Sequence, residues 1–141
     1  MPLKLFIDTD IILDVVLNRE PFYENSSSIF RKFENGEVIL FTSASIIINT
    51  QYTGQKFIGY KHCRAAINYL LNYFLILEAD IEVIKLAYKS DFIDMEDAIQ
   101  FYTARNTEEI DYFITRNIKD FKKAAKPLIV ATPTQFLKQN P

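Results

Sequence analysis

This sequence predicts a three-layer α/β/α sandwich around a mainly parallel sheet, and three observations lead there. Short apolar runs rich in β-formers alternate with stretches whose apolar residues recur at helical spacing. Alternation of that kind builds βαβ units, which cover both faces of a parallel sheet. The third observation is bulk: 141 residues, almost half of them apolar and few of them Gly or Pro, suit one core and exclude disordered or collagen-like classes. Residues 1–141 therefore read as a single domain, with no internal repeat and no linker.

Leu3 to Ile7 is a short apolar run that ends at Asp8, and Ile11, Ile12, Val15 and Val16 continue it at helical spacing: strand, then helix. A polar break at 19–25 contains Pro21. Ile29, Phe30 and Phe33 then mark a second helix that stops at Gly36, a good residue just past a helix end. Residues 38–41 read as a strand. The isoleucines after it favour strand by propensity, yet Ser43 is a good cap and a strand already precedes it, so 46–52 is read as a helix. A helix over 61–74, a strand at 75–77 and a helix carrying Ile81, Ile84, Ala87 and Tyr88 follow. Asp94 starts the next helix, with Met95, Ala98, Ile99 and Tyr102 as its buried face. Strands at 112–114 and 128–130 come next, and Pro133 opens a last helical turn.

Composition narrows function mainly by exclusion. A formal charge of -2 gives no global attraction to polyanions, so any nucleic-acid surface has to be a local patch. The lone Cys63 has no intrachain disulfide partner and lies on the apolar stripe of its helix, as core filler. The opening MPLKLFIDTD is too short in apolar character for a secretory leader, and no run approaches the ~20 apolar residues of a membrane span. A cytoplasmic location with no membrane contact is expected.

In doubly wound sheets ligands bind beyond the carboxyl ends of the strands. Asp8 closes the first predicted strand, Ser43 follows the second and Thr115 closes the fourth. A carboxylate at Asp8 borders a low-dielectric core and is costly unless paired, hydrogen-bonded or bound to a cation; equally, Asp8 is a favoured helix cap. Asp94 and Asp97 project from one helix face and repel each other, which a divalent cation would relieve; the same pair also resembles a capping box. The segment TRNIKDF at 115–121 collects Thr115, Arg116, Asn117 and Asp120 after a strand end, where turns also favour Asn and Asp. Convergence of the three acidic groups on one sheet edge favours a site of hard oxygen ligands for Mg²⁺ or Mn²⁺, able to activate water on a phosphodiester without a side-chain nucleophile. The only histidine, His62, falls at an exposed helix start and reads as a surface residue.

Taken in order, LFIDTDIILDVVL at the N-terminus, DMEDAIQFYTA at 94–104, TRNIKDF at 115–121 and LIVATPTQFL at 128–137 resemble the PIN-domain family, over nearly the whole chain. The likeness is to bacterial PIN proteins related to the toxins of VapBC-type toxin–antitoxin pairs. It implies strand order 3-2-1-4-5 and a Mg²⁺- or Mn²⁺-dependent endoribonuclease that cuts single-stranded or structured RNA. It further implies a homodimer and a neutralising antitoxin. Carried over by residue, Asp8 is the first acid, Asp97 the third with Asp94 beside it, and Asp120 with Thr115 and Asn117 the fourth segment. Asp8, Asp97 and Asp94 are then the metal-holding set, and Thr9 is the hydroxyl after the first acid. Asn49, in TSASIIINTQY, stands where the family commonly has a Glu; it carries no charge, so metal affinity should be weaker, with Asp10 compensating in part.

Basic residues flank the expected site. Lys119, Lys122, Lys123 and Lys126 with Arg116 form a stretch beside it, while Lys56, Lys61 and Arg64 form a second basic stretch before the fourth helix; either could bind phosphates. Phe22, Tyr23, Phe57, Tyr60, Tyr69 and Tyr73 leave room for an apolar interface. The main rival reading, favoured by Asn49, is a PIN-like module that binds RNA or protein without cutting. The D-x-D of Asp8 and Asp10 also fits the opening of haloacid-dehalogenase-type phosphatases, but the chain has no Gly-Asp pair of the kind they need.

Overall fold

The computed structural model describes residues 1–121 and 128–141. Its centre is a five-stranded sheet in the order β3-β2-β1-β4-β5, with every pairing parallel. The strands are β1 (Leu3–Ile7), β2 (Val38–Ser43), β3 (Phe74–Leu77), β4 (Tyr112–Ile114) and β5 (Ile129–Ala131). β1 is central because its residues Leu5, Phe6 and Ile7 are wholly buried, as only a strand covered on both faces allows. Register sets Ile7 beside Ile114, and Phe6 beside Phe41 and Phe113, so Asp8, Thr115 and Ser43 emerge together at the carboxyl edge.

Helices α1 (Thr9–Val16), α2 (Tyr23–Glu34), α3 (Ala44–Ile58) and α4 (Tyr60–Leu70) pack against one another, and α7 (Pro133–Gln139) joins them through α2. Helices α5 (Ile81–Lys89) and α6 (Met95–Thr107) form the second layer, since the chain crosses to the other half of the sheet after β3. A 3₁₀ turn at Ile118–Phe121 packs beneath α6. Aromatic rings fill the space between: Phe6 stacks on Phe113 at 5.3 Å, and Phe113 meets Phe121 at 4.8 Å between centroids. Among the described residues, no helix is long and apolar enough to cross a membrane.

Local chemistry explains the boundaries. Ser43 caps α3 by accepting from the Ile46 N–H at 3.2 Å, which settles the isoleucine run as helix. Gly36, at φ +77, ends α2 as expected. The helix read over 61–74 is shorter: α4 stops at Leu70, a 3₁₀ turn covers Leu71–Tyr73, and Phe74 already pairs with Leu40. β5 runs one residue later than read. The buried face of α6 is also rotated, to Ala98, Gln100, Phe101, Thr103 and Ala104, because Phe101 and not Ile99 packs on Phe113 of β4 and on Phe121; Met95, Ile99 and Tyr102 are half-buried. Cys63 is buried, as read.

Candidate active site

The β1–β4 seam is where the sheet order reverses, because the chain leaves β1 toward β2 on one side and β4 lies on the other. Asp8 sits on this seam, its backbone N–H donating to the Ile114 carbonyl at 3.0 Å. It is also the N-cap of α1, and its side chain accepts from the Thr9 N–H at 2.8 Å. The cap and the candidate site residue are therefore the same group. Burial pushes the Asp8 carboxyl up to about 7; the charge of Asp10 adds to this, that of Asp97 adds less, and the Thr9 N–H and Thr115 hydroxyl pull the other way.

Asp10 turns back toward β4. Its Oδ2 accepts from the Arg116 N–H at 2.9 Å and from the Thr115 hydroxyl at 3.4 Å, while its buried Oδ1 has no partner. Burial raises the Asp10 carboxyl, the charge of Asp14 adds to this, and the Arg116 N–H and guanidinium oppose it. Thr115 itself is fully buried and accepts from the Asn117 N–H at 3.1 Å, closing the turn that follows β4.

The third side of the site is the start of α6. Asp94 caps this helix by accepting from the Asp97 N–H at 3.1 Å, so its capping role is real. Asp97 is half-buried, and its carboxyl is pushed up to about 6 by burial, then by the charges of Asp94, Asp120, Glu96 and Asp10. Buried Gln100, one turn on, accepts from the Ser43 hydroxyl at 2.7 Å and donates to Ser45 at 2.5 Å, pinning α6 to the end of β2. Asp120 is exposed and accepts from the Asn117 amide. Asp94, Asp97 and Asp120 line a cleft of about 570 Å³ with Lys119, Lys89 and Tyr102.

The structure thus brings Asp8, Asp10, Asp94, Asp97 and Asp120 to one edge. Asn49 lies on α3 at the border of this group, and its amide donates to Glu96 Oε1 at 2.5 Å. Glu96, in the first turn of α6, is a carboxylate not singled out from the sequence, because acids are common in a helix's first turn. Asp14 was passed over too. It is wholly buried on α1, one turn after Asp10, and the signal available was a carboxylate within the apolar stripe of Ile11, Ile12 and Val15. Arg116, read as site support, spends its guanidinium on Asp14, with Nε to Oδ2 at 2.9 Å. Of the basic residues read beside the site, Lys122, Lys123 and Lys126 lie outside the described residues. Lys56, Lys61 and Arg64 are exposed on α3 and α4, away from the acids.

Among the described residues, no three acidic, His or Cys side chains already converge as a metal cage. The donor chemistry nevertheless fits a hard divalent cation. The unpartnered Asp10 Oδ1 and the carboxyls of Asp8 and Asp97, which burial and neighbouring acids raise, are oxygen donors whose charge a cation would offset. Mg²⁺ asks for only one or two protein carboxylates and keeps several waters.

A parallel 3-2-1-4-5 sheet with acids at its reversal point defines a class: α/β domains with a carboxylate site at the sheet's carboxyl edge. The PIN-domain model matches residues 4–119, and the chain belongs to the PIN-domain family. Among curated proteins, no sequence matches it. Solved structures that share the fold include three toxin or toxin–antitoxin proteins. The VapBC2 complex of Rickettsia felis, solved on a DNA fragment from its promoter, is 19% identical with TM-score 0.66, over 92% of this chain and 98% of that one. A toxin–antitoxin complex from Klebsiella pneumoniae is 20% identical with TM-score 0.65, over 92% and 97%. VapC20 of Mycobacterium tuberculosis, a sarcin-ricin loop cleaving toxin, is 15% identical with TM-score 0.62, over 77% and 86%.

Proposed function

We propose that this chain is a Mg²⁺- or Mn²⁺-dependent endoribonuclease of the PIN type, acting as one domain over residues 1–141 in the cytoplasm, and the toxin of a toxin–antitoxin pair. The observation that carries the reading is the gathering of Asp8, Asp10 and Asp97 at the β1–β4 reversal with a buried, unpartnered carboxylate oxygen. A bound divalent cation would supply Lewis acidity that activates water and neutralises charge on the phosphodiester. Asp8 and Asp97 would hold it, with Asp94 alongside and Asp10 Oδ1 available.

The protein's own residues do the remaining work. Thr9 and Thr115 orient Asp8 and Asp10 through a backbone N–H and a hydroxyl. Asn117 holds Asp120 at the rim of the 570 Å³ cleft, where Lys119 and Lys89 offer charge to a phosphate and Tyr102 a ring to a base. Two of the structural neighbours are toxin–antitoxin complexes, a likeness that supports an antitoxin as partner, and we propose a second copy of the chain as the other. Exposed Ile48, Tyr52, Phe57 and Tyr60 on α3 and α4 offer the apolar area.

The test is cleavage of labelled single-stranded RNA with Mn²⁺, Mg²⁺ or EDTA, beside Asp8→Asn and Asp97→Asn. Metal-dependent cleavage that vanishes in both variants supports the nuclease. Wild-type protein that binds RNA or protein and cuts no better than the variants would replace it with the binding-module reading, which Asn49 favours.

A further inference from the structure

A buried charge knot lies directly behind the candidate site, and it lies outside the proposed chemistry. Asp14 has no exposed surface, yet both of its oxygens are filled. Oδ2 accepts from Arg116 Nε at 2.9 Å and from the Ser26 hydroxyl at 3.1 Å, and Oδ1 accepts from Arg116 Nη2 at 3.0 Å and from Arg19 Nε at 3.1 Å. Phe22 caps the assembly from outside, its ring 3.7 Å from the Arg116 guanidinium carbon. Four segments meet here: α1, the α1–α2 connection, α2 and the turn after β4.

Both arginines also hold Asp10. Arg19 Nη2 donates to the Asp10 carbonyl at 3.2 Å, and the Arg116 backbone N–H donates to Asp10 Oδ2 at 2.9 Å. The grip leaves one freedom: with Oδ2 fixed against β4, Oδ1 is the oxygen left over, buried and unpartnered. A bidentate Arg–carboxylate fork has rigid planar geometry, so the position of Arg116, and with it the turn carrying its N–H, is dictated by Asp14.

We infer that Asp14 is a positioning residue for the active site: through the Arg116 fork and Arg19 it fixes Asp10 so that Oδ1 stands as the acid that Asn49 does not provide. The inference rests on the nuclease reading for its catalytic consequence, while the positioning itself stands on geometry. Outer-shell partners of this kind commonly change metal affinity by about 10- to 100-fold when altered.

The experiment compares wild type with Asp14→Asn, which keeps shape and the Ser26 contact, and Arg116→Lys, which keeps charge but loses the fork. Each is read at a temperature where circular dichroism shows it folded. Three readouts are taken: Mn²⁺ affinity by calorimetry with MnCl₂, kcat and KM on labelled RNA, and the ¹³C resonance of the Asp10 carboxyl. The expected result is Mn²⁺ binding weakened about 10-fold or more in both variants, kcat lowered with KM for RNA unchanged, and the Asp10 resonance moved. A lower melting temperature with all three readouts at wild-type values would make Asp14 merely structural and overturn the inference. If wild-type protein neither binds Mn²⁺ nor cuts RNA, the nuclease reading fails by itself. The Asp10 resonance then decides the positioning alone: displaced in Asp14→Asn it upholds the positioning, unmoved it overturns that as well.

Discussion

Arg116 approaches Asp14 edge-on, Nε to Oδ2 at 2.9 Å and Nη2 to Oδ1 at 3.0 Å, while its backbone N–H is turned the other way onto Asp10. One residue therefore faces both the interior of the helical layer and the candidate site. The pairing is sheltered: the Asp14 side chain is wholly buried, and those of Arg19 and Arg116 are 34% and 27% exposed. In that setting Coulomb attraction is screened far less than between surface ions.

Removing the carboxylate strands two guanidinium groups against a partly desolvated pocket. Asp14→Ala is expected to lower stability by about 3–5 kcal/mol, in the range of other broken buried pairs. Asp14→Asn should cost less, because the amide still meets Ser26. Urea unfolding at neutral pH measures both, and a loss for Asp14→Ala within the surface-mutation range of about 0.5 kcal/mol would contradict the account.

The raised carboxyls make stability depend on pH with a definite sign. Asp8 in the native protein titrates at about 7 and Asp97 at about 6, both above the ordinary 3.8, so over that interval the folded state holds protons that the unfolded chain has released. Stability therefore falls as pH rises from about 4 to 7 and levels off above. Asp8→Asn is expected to flatten the slope and to raise stability at pH 8 by about 2 kcal/mol, with little effect near pH 4. Melting temperature against pH, with and without MgCl₂, is the measurement; Mg²⁺ should recover stability at high pH in the wild type and less in the variant.

A third expectation concerns the α3–α4 contact. Gly54 is buried, and a Cβ built on it would lie 2.7 Å from Cys63 Sγ, too close for any real contact. Gly54→Ala should therefore destabilise despite better helix propensity, by about 1–3 kcal/mol for overpacking. Pairing it with Cys63→Ala removes the obstacle, and a double variant more stable than Gly54→Ala alone confirms the contact. Denaturant midpoints of the three proteins give the answer.

The parallel pairing and the acids at strand ends were legible because each depends on local pattern: apolar runs of strand length alternating with helices, and Asp8 or Thr115 immediately after such runs; the strand order came only through the family resemblance. What stayed hidden depends on rotation and long-range pairing. One helical position separates Phe101 from Gln100, and periodicity alone placed Met95 and Ile99 inside where Phe101 belongs. Asp14 was visible as an acid in an apolar stripe, but its partners Arg19, Ser26 and Arg116 come from three other segments, up to 102 residues away. Asn49 was correctly seen to lack charge. That a carboxylate from α6 would stand against it follows only from the side-chain hydrogen bonds that join α3 to the start of α6.

That junction gives the last expectation. Asn49 Nδ2 holds Glu96 at 2.5 Å, so the amide stabilises a neighbouring carboxylate whose charge in turn raises Asp97. Asn49→Glu exchanges this hydrogen bond for a like-charge pair beside an already acidic group. Without metal, the variant is expected to be less stable at pH 8 than the wild type by about 1 kcal/mol, since a favourable contact becomes a repulsive one. With MnCl₂ present the ranking should reverse, because an added carboxylate strengthens a hard-cation site. Melting temperatures across a Mn²⁺ titration, with calorimetric affinity alongside, separate the two effects. Weaker Mn²⁺ binding in Asn49→Glu would mean that the position faces away from any cation and serves only to hold Glu96.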